Sequence, residues 1–262
     1  MSRSTAARAT GLLAAFVIAA LAGAVAAAET RVEMARGLLA AWNDDPARID
    51  RARMLLQAEV ADRPSVDALL ELSSAWFLTG DFRARADAER QAAYAEGARA
   101  AQRAIAIAPG SERAHLLFAY NTGRSAQITG VMRAVSLVGT VRAESDTVLR
   151  LNPSSVGGLI LAAALAAELP KLMGGDRAKA ETLFTRALAL DPHETGGRIE
   201  LARLYVAQHR WTEAVHELQA VIDDDQPTDR PRWITSDVPR ARTMLFEMRE
   251  RGHVPGVPPQ SP

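Results

Sequence analysis

The chain has 262 residues, of which 48% are hydrophobic and only 5% are aromatic. Its 31 basic residues balance 31 acidic ones, so the overall charge gives no reason to expect binding to nucleic acid or to an anionic membrane surface. Because there are 0 cysteines, disulfides, a thiolate nucleophile and a lipoprotein attachment site are excluded. A core rich in alanine and leucine loses little rotamer freedom in helices, so the composition predicts an all-α protein.

The N-terminal segment has the pattern of a secretory signal peptide. Two arginines precede an apolar run over residues 11–26, and alanines fill the positions that determine cleavage. We therefore expect residues 1–28 to be removed after Ala28, which predicts a periplasmic or secreted protein with no stable membrane insertion. The alternative is an uncleaved anchor, because the uncharged run from Gly11 to Ala28 nearly reaches the about 20 residues that span a bilayer.

Several segments further along the chain end alike, with an apolar helical stretch closed by a proline. The matching endings are "AIAIAPGS" (104–111), "VLRLNPSS" (148–155) and "ALALDPHE" (187–194), with a looser copy in "LQAEVADRPS" (56–65). Proline stops a helix because it lacks the backbone N–H and displaces the preceding residue from the α region. The spacing of these prolines shrinks towards the C-terminus, which predicts a repeat with longer insertions in its early copies.

The last copy, residues 195–228, predicts an antiparallel helical hairpin. Ala202 and Tyr205 share one face of a first helix, and Ala214 and Leu218 follow at helical spacing on a second. The two alanines allow the helices to approach closely, while the larger side chains fill the space around them.

This spacing resembles the tetratricopeptide repeat. The residues at its signature positions are Leu201, Ala202, Tyr205, Ala214 and Leu218 in the last copy and Ala180, Phe184, Ala187 and Pro192 in the copy before it. The resemblance implies an all-α fold of antiparallel helical hairpins stacked as a right-handed solenoid. It also implies a non-enzymatic scaffold that binds a protein or peptide through its concave face, which the first helices line.

The repeat pattern divides the chain into five kinds of segment. These are a signal peptide over 1–28, a degenerate hairpin over 29–65, repeats over 66–228 (about 66–109, 110–153, 154–192 and 195–228), a capping helix over 229–251 and a disordered proline-rich tail over 252–262. The capping helix carries an apolar stripe from Val238 to Met248, and a solenoid needs such a helix to close its end. We expect Asp237 to cap the start of this helix and Gly252 its end.

A second resemblance suggests another function. The stretches "YAEGARAAQRAIAIAPGSERAH", "NTGRSAQITGV" and "LPKLMGGDRAKA" are similar to exported bacterial repeat proteins related to the T component of TRAP-type solute transporters. This similarity implies an accessory component of an uptake system that binds a small apolar or carboxylate ligand in an enclosed cavity. It stands as the alternative to the scaffold.

The turn Gly174-Gly175-Asp176 has two interpretations, an anion-binding loop or a simple turn between packed helices. Backbone N–H groups at a helix start do attract anions. A phosphate-binding loop, however, needs a preceding strand and a Lys-Ser/Thr ending, and both are missing from the sequence around the turn. The pattern therefore favours the simple turn.

Catalytic and metal-binding patterns are weak in this sequence. The best candidate metal site is His209, Glu213 and His216, which would align only if one continuous helix carried all three. The repeat places His209 in the turn between two helices, so we predict no metal and no cofactor. With no nucleophile elbow or zinc-protease helix either, we predict that the protein is not an enzyme.

The remaining polar candidates are expected on first helices, where they would face the concave surface. They are Tyr120, Asn121, Arg124 and Arg203. An asparagine and an arginine together can hold a carboxylate through hydrogen bonds and a bidentate fork. The alternative for residues 120–124 is a surface turn without a ligand.

Overall fold

The computed structural model describes residues 31–129 and 131–254, and within these ranges every regular element is helical. The helices are α1 (31–40), α2 (Ala47–Asp62), α3 (Val66–Leu78), α4 (Asp87–Ile107), α5 (Glu112–Gln127), α6 (Val131–Leu151), α7 (Val156–Glu168), α8 (Arg177–Leu190), α9 (Thr195–Ala207), α10 (Trp211–Ile222), α11 (Arg230–Arg232) and α12 (Val238–Glu250). The all-α prediction is confirmed. None of the helices in the described ranges is long and apolar enough to cross a membrane.

The helices follow one another as antiparallel hairpins. We call α3, α5, α7 and α9 the first helices, and α4, α6, α8 and α10 are their second helices. Each first helix also packs against a neighbour in the next hairpin, as α5 does against α3 and α9 against α7. The predicted signal peptide and the end of the predicted tail, from residue 255 on, lie outside the described residues.

A short motif at each hairpin junction explains why the helices begin where they do. After the proline that follows α2, α4 or α6, a serine accepts a hydrogen bond from a backbone N–H in the first turn of the next helix. Ser65, Ser111 and Ser155 do so for α3, α5 and α7 at 3.1, 3.3 and 3.1 Å. Glu194 takes this place on α9, accepting from Gly197 N at 3.2 Å. Each cap satisfies a donor that a helix start otherwise leaves unpaired.

Two hydrophobic clusters form most of the described core. The C-terminal cluster is centred on Phe184, Ile199 and Leu218, and all three side chains are fully buried. The N-terminal cluster is built around Leu56 and Leu69. Buried alanines run through both clusters and let the helices pack closely, as the sequence pattern predicts.

The turn before α8 has a structural role. Gly174 adopts a left-handed φ of 87°, which glycine accepts without steric cost. The Gly175 N–H donates to the carbonyl oxygen of Pro170 at 3.1 Å, and the Asp176 N–H donates to that of Ala166 at 2.8 Å. The Asp176 carboxylate then caps α8 by accepting from the N–H groups of the next residues. The interpretation of these residues as a turn between packed helices is confirmed.

Alanine at Gly175 is expected to lower the free energy of unfolding by about 1–3 kcal/mol. The added Cβ would lie 1.8 Å from the backbone oxygen of Leu169, which cannot rotate away as a side chain could. Urea denaturation followed by circular dichroism measures the loss. The matched control is Gly139→Ala in α6, where the new Cβ meets open space and the expected change is a gain of about 0.5–1 kcal/mol. Similar effects at both glycines would contradict the tight turn.

The predicted capping helix over 229–251 is divided into α11, a π-helical turn and α12, and Asp237 has a different role from the predicted one. Asp237 does not cap α12: its side chain makes no capping hydrogen bond and accepts instead from the hydroxyl of Thr195 at 2.8 Å. A π-helical turn, Trp233–Asp237, runs directly into α12. The N–H groups at the start of α12 therefore follow a helical turn and not a loop. Gly252 does end α12, with a φ of 71°.

Candidate functional site: an ionic inner face

Tyr120 lies where three first helices meet. Its hydroxyl donates to the carbonyl oxygen of Gly157 on α7 at 3.2 Å, and its ring centre is 6.1 Å from that of Phe77 on α3. A Cβ at position 157 would lie 2.8 Å from this hydroxyl, so the glycine makes room for it. Burial raises the pKa of Tyr120. Tyr120 therefore holds the first helices together and keeps its hydroxyl protonated.

Asn121 does not face the surface that the sequence assigned to it. Its side chain is fully buried, and its amide nitrogen donates to Leu117 O at 2.9 Å and to Ser73 Oγ at 3.2 Å. Ser73 in turn donates to the carbonyl oxygen of Gly97 on α4 at 2.8 Å. The proposed ligand-binding role of Asn121 is corrected here, because the side chain links α3, α4 and α5 and has no path to a ligand.

Arg124 lies on the first helix α5, as predicted, but its guanidinium pairs with another residue of the chain. Its Nη2 donates to Asp81 Oδ2 at 2.8 Å, and the other oxygen of Asp81 accepts from the Tyr94 hydroxyl at 2.7 Å. The Asp81 side chain is only 5% exposed. Burial lowers the pKa of Arg124 and Asp81 raises it, and the net shift is upward. Arg124 is therefore a charged residue that neutralises a buried carboxylate.

Arg203 is the most open of the four predicted site residues, with its side chain 50% exposed. It lies 2.7 Å from a Glu200 oxygen and 3.6 Å from a Glu168 oxygen, and so bridges α9 and α7. Arg240 of α12 donates to the other Glu200 oxygen at 3.1 Å. Burial raises the pKa of Glu168, while Arg203 lowers it.

The C-terminal segment adds charges that the sequence analysis did not identify. Arg232 Nη1 lies 3.8 Å from Asp81 Oδ2, and its Nε lies 3.9 Å from Asp237 Oδ1. This contact brings the turn between α3 and α4 to the segment that follows α10, the last of the second helices. We call the surface formed by α3, α5, α7, α9 and residues 229–237 the inner face. No local signal in the sequence marks it, because its members meet only when the stack curves.

Two acidic groups on the inner face titrate above their ordinary range. Burial raises the pKa of Glu194. The hydrogen bond from the Gly197 N–H and the positive charge of Arg232 partly offset this rise. Burial likewise raises the pKa of Asp237 against the opposing effects of Thr195 and Arg232. The folded protein thus holds protons here that the unfolded chain releases. These two groups make the protein less stable as the pH rises from the ordinary carboxyl range through their raised values.

Replacing Asp237 by asparagine is expected to reduce this pH dependence. The amide has no proton to lose, and its oxygen can still accept from the Thr195 hydroxyl. In the wild type, Asp237 lowers the free energy of unfolding as the pH rises from 4 to 7. We expect this decrease to be smaller in Asp237→Asn. Urea titrations across this range measure it, with the exposed Asp225→Asn as the matched control. A pH profile identical to that of the wild type would show that Asp237 does not titrate as argued.

The histidine candidates for a metal site are not brought together. His209 lies in the turn between α9 and α10 with a φ of 59°, and its ring packs edge-on against Trp211. His216 instead neighbours Glu217, with 3.3 Å between ring nitrogen and carboxylate oxygen. Across the described ranges no group of three or more histidines and carboxylates has the arrangement of a metal site.

Comparison with known proteins agrees with this architecture. Residues 171–234 match the family model described as tetratricopeptide repeat. A thermophilic tetratricopeptide repeat protein from Thermus thermophilus aligns over 83% of this chain and 99% of its own, with a TM-score of 0.63 and 18% identity. PilF of Pseudomonas aeruginosa aligns over 87% of this chain and 93% of its own, with a TM-score of 0.51 and 12% identity. No curated relative matches the sequence. The chain therefore has the fold of a tetratricopeptide repeat solenoid, with the repeat itself recognised over residues 171–234.

Proposed function

We propose that this protein is a non-catalytic scaffold that binds a protein or peptide partner on its inner face. The observation that carries the proposal is the row formed by Glu168, Glu200 and Arg203 on α7 and α9, which Arg240 of α12 extends at the edge of the inner face; all four charges are partly exposed. These side chains stand on packed helices, so binding a partner costs little ordering of the scaffold. Exposed ion pairs stabilise the fold only weakly, so their groups can exchange partners at small cost.

Charge reversal at Arg203 is expected to weaken partner binding at least tenfold and to leave the helical content unchanged. A photo-reactive residue at position 207, exposed on α9 one turn after Arg203, first captures the partner in the exported fraction, and mass spectrometry identifies it. The affinity of the purified partner is then measured for Arg203→Glu and for the matched control Arg103→Glu, an exposed arginine on the second helix α4. Equal affinities for the two variants would contradict binding on the inner face.

The export that the N-terminal sequence predicts is part of this proposal. A mature protein isolated from the exported fraction should begin at Glu29, which intact mass measurement detects. A mass that includes residues 1–28 would favour the membrane anchor instead.

The alternative function, an accessory solute-binding component of a TRAP-type uptake system, requires an enclosed apolar cavity. Two open cavities of about 460 and 530 Å³ lie between α2, α3 and α4 and share Trp76 and Glu96 in their walls. Around Tyr120 the space is filled by Phe77 and by the backbone of Gly157. Because the inner face is ionic and the described cavities are open, we rank the scaffold above the solute-binding protein.

A further inference from the structure

Arg232 occupies a pocket that three acidic residues form on the inner face. Asp81 lies in the π-helical turn Thr79–Arg83 between α3 and α4, Glu194 caps α9, and Asp237 precedes α12. Arg232 lies within ion-pair distance of Asp81 and Asp237, and its charge also lowers the pKa of Glu194. We call Asp81, Glu194 and Asp237 the acidic pocket. Its cations come from the chain itself: Arg232, and Arg124, which donates to Asp81 at 2.8 Å.

The fit of Arg232 in this pocket is loose. Its nitrogen atoms lie 3.8 and 3.9 Å from the nearest oxygens of Asp81 and Asp237, beyond the range of hydrogen bonds. Asp237 is 1% exposed, and its Oδ1 atom has no hydrogen-bond donor among the described residues. A buried carboxylate oxygen without a donor is rare in folded proteins, and the charged group within ion-pair distance of this one is Arg232.

The segment that carries Arg232 is built differently from the repeats. α11 has only three residues, and Asp229 caps its start by accepting from the Arg232 N–H at 3.0 Å. Trp233 anchors the next turn by donating to Val221 O at 2.6 Å. The Arg232 side chain is therefore attached to an ordered segment, while its guanidinium makes no hydrogen bond of its own in the acidic pocket. It can leave the pocket without unfolding a repeat.

We propose that the acidic pocket binds the guanidinium group of an arginine side chain in a peptide partner, and that Arg232 occupies this site in the unbound protein. The planar donor fork of arginine can serve two carboxylates at once, which a single ammonium donor cannot do with the same geometry. An incoming arginine unconstrained by α11 can reach hydrogen-bond distance from Asp237 Oδ1. Displacement of Arg232 then uncovers the inner face around Asp81. This inference rests on the proposed partner binding and specifies its chemistry.

The test removes the internal cation and supplies an external one. The probe is N-acetyl-arginine amide, and its binding is followed by the NMR shifts of the Thr195 and Tyr94 resonances. We expect Arg232→Gln to bind the probe at least tenfold more tightly than the wild type. The matched control Arg230→Gln, an exposed arginine in the same short helix, should behave as the wild type. Equal affinities for the wild type and Arg232→Gln would overturn the proposal.

Two further measurements separate charge recognition from mere opening of the pocket. N-acetyl-norleucine amide, which lacks the guanidinium, should not bind Arg232→Gln, and adding Asp81→Asn to that variant should reduce arginine binding at least tenfold. Binding of the norleucine probe as tightly as the arginine probe would overturn the proposal. N-acetyl-lysine amide should bind Arg232→Gln several-fold more weakly than N-acetyl-arginine amide does. Equal binding of the two would overturn the assignment to a guanidinium.

Arg232→Lys provides a version of the test in which the pocket keeps a cation and the fold is not at risk. The shorter ammonium group should compete less well, so the arginine probe should bind several-fold more tightly than to the wild type. If Arg232→Gln does not fold, this comparison decides, and equal affinity overturns the proposal. Because the probe needs no partner, failure of the probe test leaves the affinity comparison at Arg203 intact. Failure of the Arg203 comparison likewise leaves the probe result intact.

Discussion

Replacing Phe184 by alanine is expected to lower the free energy of unfolding by about 3–5 kcal/mol. The Phe184 ring is fully buried in the C-terminal cluster, and its helix α8 packs against α7 and α9. The loss combines the transfer of the ring out of the core with the cavity left behind. Because these helices are held rigidly by their neighbours, the cavity cannot close fully. Equilibrium urea denaturation followed by circular dichroism measures the change.

The matched control is Phe246→Ala on α12. The Phe246 ring is 59% exposed, so its removal should change the free energy of unfolding by about 0.5 kcal/mol at most. A loss below about 1 kcal/mol for Phe184→Ala would contradict a rigid core at this position. A large loss at Phe246 would show instead that the exposed ring is covered by another surface.

Charge reversal at Arg124 is expected to lower the free energy of unfolding by about 3 kcal/mol, near the lower end for a broken buried ion pair. Arg124→Glu removes the cation beside Asp81 and places a second carboxylate next to it. The value stays near the lower end because the Arg124 side chain is 36% exposed and water screens part of the repulsion. Thermal and urea denaturation measure the effect.

The matched control is Arg203→Glu, whose side chain is half exposed and whose ion pairs lie at the surface. Its expected loss is below about 1 kcal/mol. From the sequence, the two arginines are equivalent, since both are expected on first helices facing the same groove. The structure separates them, because only Arg124 meets a buried carboxylate. Equal losses for the two reversals would contradict this difference.

The helix boundaries were largely predictable because their signals are local. A proline follows the end of one helix, and a serine one or two residues later caps the next first helix, as Pro64 with Ser65 and Pro153 with Ser155 show. The turn at Asp176 follows the same logic, since two glycines and a capping carboxylate act within a few residues. Such signals act over one helical turn, so they can be recognised without knowing the fold.

The site residues were predicted less well because their roles depend on distant neighbours. Asn121 and Asp237 both carry groups typical of surfaces and caps, yet each is buried against a partner far away in the sequence: Ser73 and Thr195 respectively. The missed residues Asp81 and Arg232 lie in different parts of the chain, and nothing around either one indicates the other. Local pattern identifies which residues are polar, and it does not identify which polar groups meet.

Taken by itself, the sequence determined the helical class, the hairpin order, the packing alanines and the helix ends, because propensity, spacing and capping act over a few residues. It also contains the signal for export, which stays a prediction. Only the tertiary structure decided that the first helices and residues 229–237 form one ionic inner face with Arg232 in an acidic pocket. The physical reason is that small angles between successive hairpins add up along the stack. Their sum, which no single repeat encodes, brings Arg232 to Asp81.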